Sequence, residues 1–204
     1  MMPFVGDTDA ALEAIDEFLG EEEHAAAPAA TTPPASGLAT ILFTDIEGST
    51  ALTQRLGDAE AQEIVRTHNT IVREALNAHG GSEIKHTGDG IMASFHSASG
   101  ALQCAVAIQS AVEHHNVGAH GDAPFSVHIG LNAGEPVAEE HDLFGTSVQL
   151  ARRICDHAQA GQVLVSNVVR ELAAGKGFLF ADIGEVVPKG FEEPVRLYEV
   201  RWRE

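Results

Sequence analysis

Apolar positions along this chain recur with two periods, and each change of period marks a change of element. LATILFTDI, residues 38–46, is an almost unbroken apolar run and predicts a buried strand. From about Thr50 to His79, Leu52, Leu56, Ile64, Val65, Ile71, Val72 and Leu76 fall near helical spacing, and His79-Gly80-Gly81 stops the helix. EIKHTGDGIMASF, residues 83–95, reads as a β-hairpin turning at Gly88-Asp89-Gly90. A second helix is expected from about Ser99 to His115, with Ala101, Leu102, Ala105, Val106, Ile108 and Val112 apolar. In FSVHIGLNAGEPV, residues 125–137, Val127, Ile129 and Leu131 alternate as in a strand. A third helix covers about Thr146 to His157, and the strand QVLVS, the short helix NVVRELAAG and the strands FLFADIGEVV and VRLYEVRW follow. The order β-α-β-β-α-β over the first part predicts an α+β, ferredoxin-like fold with extra C-terminal strands and a helix.

The N-terminal stretch has a different character. DTDAALEAIDEFL, residues 7–19, reads as an amphipathic helix capped by Asp7 or Thr8, with Leu12, Ile15, Phe18 and Leu19 as its apolar stripe. EEEHAAAPAATTPPASG, residues 21–37, is acidic, then Ala/Pro/Thr-rich, and reads as a linker. Two parts are expected: helix and linker over 1–37, and one compact domain over 38–204.

Charge narrows the function classes. The chain carries a formal −18, eight acids and no Lys or Arg falling in residues 1–37. That argues against broad electrostatic binding to nucleic acid or to an anionic membrane. No apolar run approaches the roughly 20 residues that span a bilayer, and the first residues lack a basic n-region and apolar h-region. Cys104 and Cys155 sit in apolar helical patterns and read as reduced core thiols. These features together predict a cytoplasmic protein without membrane insertion. The eleven histidines lack clear ligand spacing and are not read as a transition-metal site.

Two carboxylates carry the chemistry. Asp45 ends the first strand, and Asp89 sits at the hairpin tip between glycines that let the backbone pass close to a ligand. In the predicted order the first strand lies antiparallel beside the nearer hairpin strand, so the two aspartates can converge. Like charges rarely do so without a cation between them, and hard oxygen ligands with open positions suit Mg²⁺ or Mn²⁺ shared with substrate phosphates. The loop Glu47-Gly48-Ser49-Thr50 then opens a helix whose free N–H groups favour phosphate. Ser49 and Thr50 read as a helix cap or as phosphate contacts.

FTDIEGST, KHTGDGIMASF, HIGLNAGEPV, DLFGTSVQLARRI and VVPKGF, in this order, resemble the successive motifs of a class III nucleotidyl (adenylate/guanylate) cyclase catalytic domain, over about residues 38–201. The resemblance implies that Asp45, Asp89 and the backbone of Ile46 hold a pair of Mg²⁺ or Mn²⁺ ions. It implies that Lys85 contacts the purine, that Asp142 reads the adenine amino group, that Arg153 stabilises transition-state charge and that Lys189 contacts the terminal phosphates. An acceptor carboxylate and a donor ammonium complement adenine, whereas guanine presents the reverse polarity. The implied activity is conversion of ATP to 3′,5′-cyclic AMP and pyrophosphate, at sites shared across a homodimer, with Lys85, Asp142, Gln149 and Arg153 facing the metal aspartates of the partner. One position departs from the pattern: the family's asparagine four residues before the arginine is here Gln149, one methylene longer. A GTP or pyrimidine cyclase, or a degenerate nucleotide-binding or dimerisation module, is the alternative. Arg152, beside Arg153, reads as a surface or interface charge, with a substituting role at this departure as the alternative. Residues 1–23 resemble, over a short span, the end of an α/β-hydrolase domain; an amphipathic docking, dimer-contact or regulatory helix is the competing reading.

Overall fold

β1, Ala39–Ile46, is an interior strand of a seven-stranded sheet, third in its order, and that position explains its unbroken apolar run: every residue but Asp45 is buried. Alternation sorts its side chains. Leu42 and Ile46 join the larger core with the long helices, whereas Ala39, Ile41 and Phe43 join a second core on the other face. The computed structural model describes residues 37–118 and 123–203, all within the unit Thr31–Glu204. The N-terminal helix, the linker and the hydrolase-like stretch lie outside the described residues.

In chain order the remaining elements are α1 (Ser49–Leu56), α2 (Asp58–His79), β2 (Gly81–His86), β3 (Ile91–Phe95), α3 (Ala98–Gly118), β4 (Val127–Gly134), β5 (Val137–Glu139), β6 (Asp142–Phe144), α4 (Thr146–His157), β7 (Val163–Ser166), α5 (Asn167–Leu172), β8 (Phe180–Val186) and β9 (Val195–Val200). The sheet order is β2-β3-β1-β4-β7-β9-β8. β1 runs antiparallel to both β3 and β4, which is the ferredoxin-like arrangement, and β7 and β9 extend it. α2 and α3 cover one face; α4 lies on the other.

Three local features differ from the hydrophobic pattern. The helix expected from Thr50 to His79 is broken at Gly57 into α1 and α2. α1 buries none of its residues, so helical spacing alone does not merge it with α2. Its N-cap is Gly48, and no side chain caps it, so Ser49 and Thr50 are not the expected cap. A small ribbon, β5 paired with β6, interrupts the path into α4. Its two-residue turn puts Glu140 and His141 at φ of 48° and 69°, the sign such hairpins require but without the glycine that signals them.

Gly130 makes the α4 contact possible. A Cβ there would lie 2.1 Å from the Cys155 backbone nitrogen, so the helix rests directly on β4. Asn132 on the same strand donates to the Ser147 carbonyl at 2.9 Å and fixes the start of α4.

Candidate active site

The end of β1 sends two neighbouring side chains to opposite faces. Thr44 faces α2, where its Oγ1 stands 3.1 Å from His68 Nε2 and accepts the Ile91 N–H at 3.0 Å. His68 Nδ1 donates to Asn69 Oδ1 at 3.1 Å, so in the neutral ring Nε2 is the acceptor and the Thr44 hydroxyl gives it its proton. His86, on the helix side of β2, reaches the same Asn69 oxygen at 3.2 Å, and its Nδ1 accepts the Gly88 N–H at 3.1 Å. α2 thus holds both ends of the turn that presents Asp89. Burial pushes the His68 imidazole down to about 4.

Asp45 points to the α4 face, and the Asp89 turn closes against it. A Cβ on Gly90 would lie 1.9 Å from the Thr44 carbonyl oxygen, so only glycine lets the turn come this near. Ile46 N–H donates to the Asp89 carbonyl at 3.3 Å, and Ser49 Oγ donates to Asp89 Oδ2. Burial pushes Asp45 up to about 6, a hydrogen bond with Asp89 adds to this, and Arg152 opposes it. Burial would also raise Asp89, but its hydrogen bonds to Ser49 and Asp45 outweigh burial and hold it below the usual carboxylate range. Two carboxylates brought together, one of them pushed up by burial, form a site suited to added positive charge.

A hard divalent cation fits these residues. Asp45 Oδ1 is buried with no hydrogen-bond partner, and two carboxylates beside a strand-end backbone form an oxygen-only donor set. Among the described residues no three His, Cys, Asp or Glu side chains gather into a metal cage. Glu47, Gly48 and Thr50 are exposed at the start of α1 beside this pair, with Ser49 half-buried.

Two further side chains belong to this site. Arg152 is half-buried and paired rather than free on the surface: its Nη2 donates to Asp45 Oδ2 at 2.8 Å, and its Nε lies 2.9 Å from Asp156 Oδ1. Burial works against its charge, yet Asp45 and Asp156 more than offset that and raise its pKa. The signal was present in the helix pattern, because Val148, Ala151, Arg152 and Cys155 form one i, i+3, i+4, i+7 stripe facing the sheet. His128, paired in register with Asp45, places Nε2 3.8 Å from Asp45 Oδ2 and Nδ1 3.2 Å from Glu47 Oε2. Burial holds its pKa down against the pull of Glu47. Strand register, which the hydrophobic pattern leaves open, puts it there.

The proposed base-reading residues meet within one chain. Lys85 Nζ lies 2.5 Å from Asp142 Oδ2 and 5.6 Å from the centre of the Phe144 ring. Asp142 Oδ1 accepts the Leu143 N–H at 2.7 Å. Lys85 reaches the ribbon face of β2 and His86 the helix face, as alternation requires. Further along, Gln149, Arg153 and Lys189 line an open cavity of about 280 Å³ with Phe43, Arg152 and Phe191. Arg153 Nη1 is held by Asp156 Oδ2 at 2.9 Å, so it is turned to its own helix rather than to Asp45 or Asp89.

A model of the adenylate and guanylate cyclase catalytic domain matches residues 32–201. This chain belongs to that family. Solved cyclase structures share its fold: an adenylate/guanylate cyclase/hydrolase from Silicibacter pomeroyi is 28% identical, with a TM-score of 0.73 over 81% of this chain and 96% of that one. The guanylyl cyclase Cya2 is 27% identical, with a TM-score of 0.71 over 81% and 92%. In sequence, the chain is 32% identical over 162 residues to a Rhizobium meliloti protein provisionally named adenylate cyclase 3, a match that covers 79% of this chain and 28% of that relative. It is 28% identical over 230 residues to the adenylate cyclase of Podospora anserina, covering 84% of this chain and 10% of that protein. The cyclase domain is therefore a small part of these longer relatives. Among the described residues no helix is long and apolar enough to cross a membrane.

Proposed function

We propose that this cyclase domain converts ATP to 3′,5′-cyclic AMP and pyrophosphate, at sites that two copies of the chain share. The choice of ATP rests on the Lys85–Asp142 pair, an ammonium and a carboxylate 2.5 Å apart on the ribbon face. Adenine offers an amino donor and a ring-nitrogen acceptor, and it can replace the internal ion pair with one hydrogen bond to each side chain. Guanine offers the opposite polarity and would leave both charges unpaired.

Asp45 and Asp89, with the Ile46 backbone, would hold Mg²⁺ or Mn²⁺. Such ions supply Lewis-acid stabilisation of charge on the α-phosphate and ease deprotonation of the ribose 3′-hydroxyl. The 3′-oxygen attacks the α-phosphorus, the bond to the bridging oxygen breaks, and pyrophosphate leaves. No protein nucleophile is needed. Arg153 stabilises the charge that grows on the phosphoryl oxygens, and Lys189 receives the terminal phosphates. Gln149 shares a helix face with Arg153, four residues apart, and its amide positions the ribose or phosphate beside it. The shared-site arrangement is supported by Arg153, which its own chain turns toward Asp156, and by the ribbon residues Val137 and Phe144, which stay exposed.

The test is turnover with ATP, GTP, CTP and UTP, in Mg²⁺ and in Mn²⁺, with products resolved by mass. Cyclic AMP should dominate. Dominance of another cyclic nucleotide overturns the base reading and keeps the metal site. Gln149 favours a second reading, a module that binds nucleotide without turning it over; ATP binding by calorimetry with no product in either metal would establish it.

A further inference from the structure

Asp45 already has a cation, and the protein itself supplies it. The Arg152 guanidinium bonds Asp45 Oδ2 at 2.8 Å while the other Asp45 oxygen stays buried and unpartnered. The same guanidinium is anchored through Nε to Asp156 Oδ1 at 2.9 Å and lies 5.9 Å from the Phe43 ring centre. Asp156 in turn holds Arg153 with its second oxygen. The result is a continuous chain of alternating charges, Asp45–Arg152–Asp156–Arg153, running from the candidate metal site to the candidate phosphate site. A divalent cation bound at Asp45 brings positive charge to within contact distance of this guanidinium, and two such cations repel strongly in a half-buried setting.

We infer that Arg152 is a built-in counter-ion for Asp45, displaced when metal enters, with Asp156 as the carboxylate that receives it. The inference rests on the metal assignment made above. Arg152 keeps Asp45 and Asp89 from repelling one another while no metal is bound. On metal entry it loses its bond to Asp45 and turns fully to Asp156. Two arginines then compete for one carboxylate, and Arg153 is freed from its own helix. Because Asp45 and Arg153 of one chain serve different shared sites, metal entry at one site would ready the arginine of the other.

The test is Mn²⁺ binding to the full chain by calorimetry, without nucleotide, at pH 8. Arg152→Gln should bind Mn²⁺ more tightly than the wild type, by roughly tenfold. Arg152→Lys, which keeps the charge, should fall between them. Asp156→Asn removes the receiving carboxylate and should weaken binding. Asp45→Ala is the control that locates the signal, and circular dichroism confirms that each variant folds. Wild-type binding that Asp45→Ala abolishes, but that Arg152→Gln leaves unchanged or weakens, overturns the counter-ion role and keeps the metal site. Binding to neither the wild type nor Arg152→Gln overturns both.

Discussion

Lys85 and Asp142, separated by 57 residues in sequence, meet at 2.5 Å because β6 folds back over the open face of β2. The pair is ready-made for a base with one donor and one acceptor. Lys85→Ala and Asp142→Ala should each lower kcat/KM for ATP by roughly tenfold to a hundredfold, the cost of leaving one polar group unpaired. Lys85→Glu should shift the ratio of GTP to ATP turnover upward. Steady-state assays with both nucleotides check this; an unchanged ratio would remove Lys85 from base recognition.

Asp45 and Asp89 supply the carboxylates of the candidate metal site. Asp45→Ala or Asp89→Ala should bring turnover to background while the far-UV circular dichroism spectrum is kept. Mixing Asp45→Ala chains with Arg153→Ala chains should recover about a quarter of wild-type activity, because half the dimers are mixed and each mixed dimer has one intact site of two. Size-exclusion chromatography coupled to mass analysis would show whether mixed dimers form. Mixed dimers without activity would contradict the shared-site arrangement.

Gln149 is one methylene longer than the asparagine the family pattern carries. If that length misplaces its amide, Gln149→Asn should raise kcat, by up to about a hundredfold, with little change in KM for ATP. An unchanged kcat would show that the glutamine amide already reaches its target.

His68 is fully buried, and burial moves its pKa from 6.5 to about 4. The folded protein keeps the ring neutral while the unfolded chain takes up a proton below pH 6.5. Its contribution is therefore fully present above pH 6.5, declines as pH falls, and is gone by about pH 4. The loss should be on the order of 3 kcal/mol. Asp45, raised to about 6, works the other way between pH 6 and 3.8, because its folded form holds the proton more tightly. Urea unfolding of the wild type and of His68→Gln across this range separates the two. Equal pH dependence in both proteins would show that His68 does not titrate this way.

Much of this site could be read from residue patterns. The unbroken apolar run of β1 placed Asp45 at a buried strand end, and the glycines around Asp89 marked a turn that something approaches closely. The helix face shared by Gln149 and Arg153 followed from their spacing. Arg152 was also within reach, since it lies on the stripe of Val148, Ala151 and Cys155, but its charge argued for solvent until Asp45 was found opposite it. His128 was not within reach. Alternation assigns it to a face, but only the pairing of β1 with β4 sets it beside Asp45. The ribbon that carries Asp142 was hidden because its turn uses Glu140 and His141 rather than glycine.

By itself the sequence determined the period of the main strands and helices, the β-α-β-β-α-β order of the first part, and the residue types of a metal-dependent phosphoryl site. Those properties are local, or follow from the burial demands of each segment. Only the tertiary structure decided which charges are already paired. Lys85 with Asp142, Asp45 with Arg152, and Asp156 with both arginines depend on register and on how closely α4 rests on Gly130. Electrostatic energy falls with distance and rises with burial, and neither quantity is written in the order of residues.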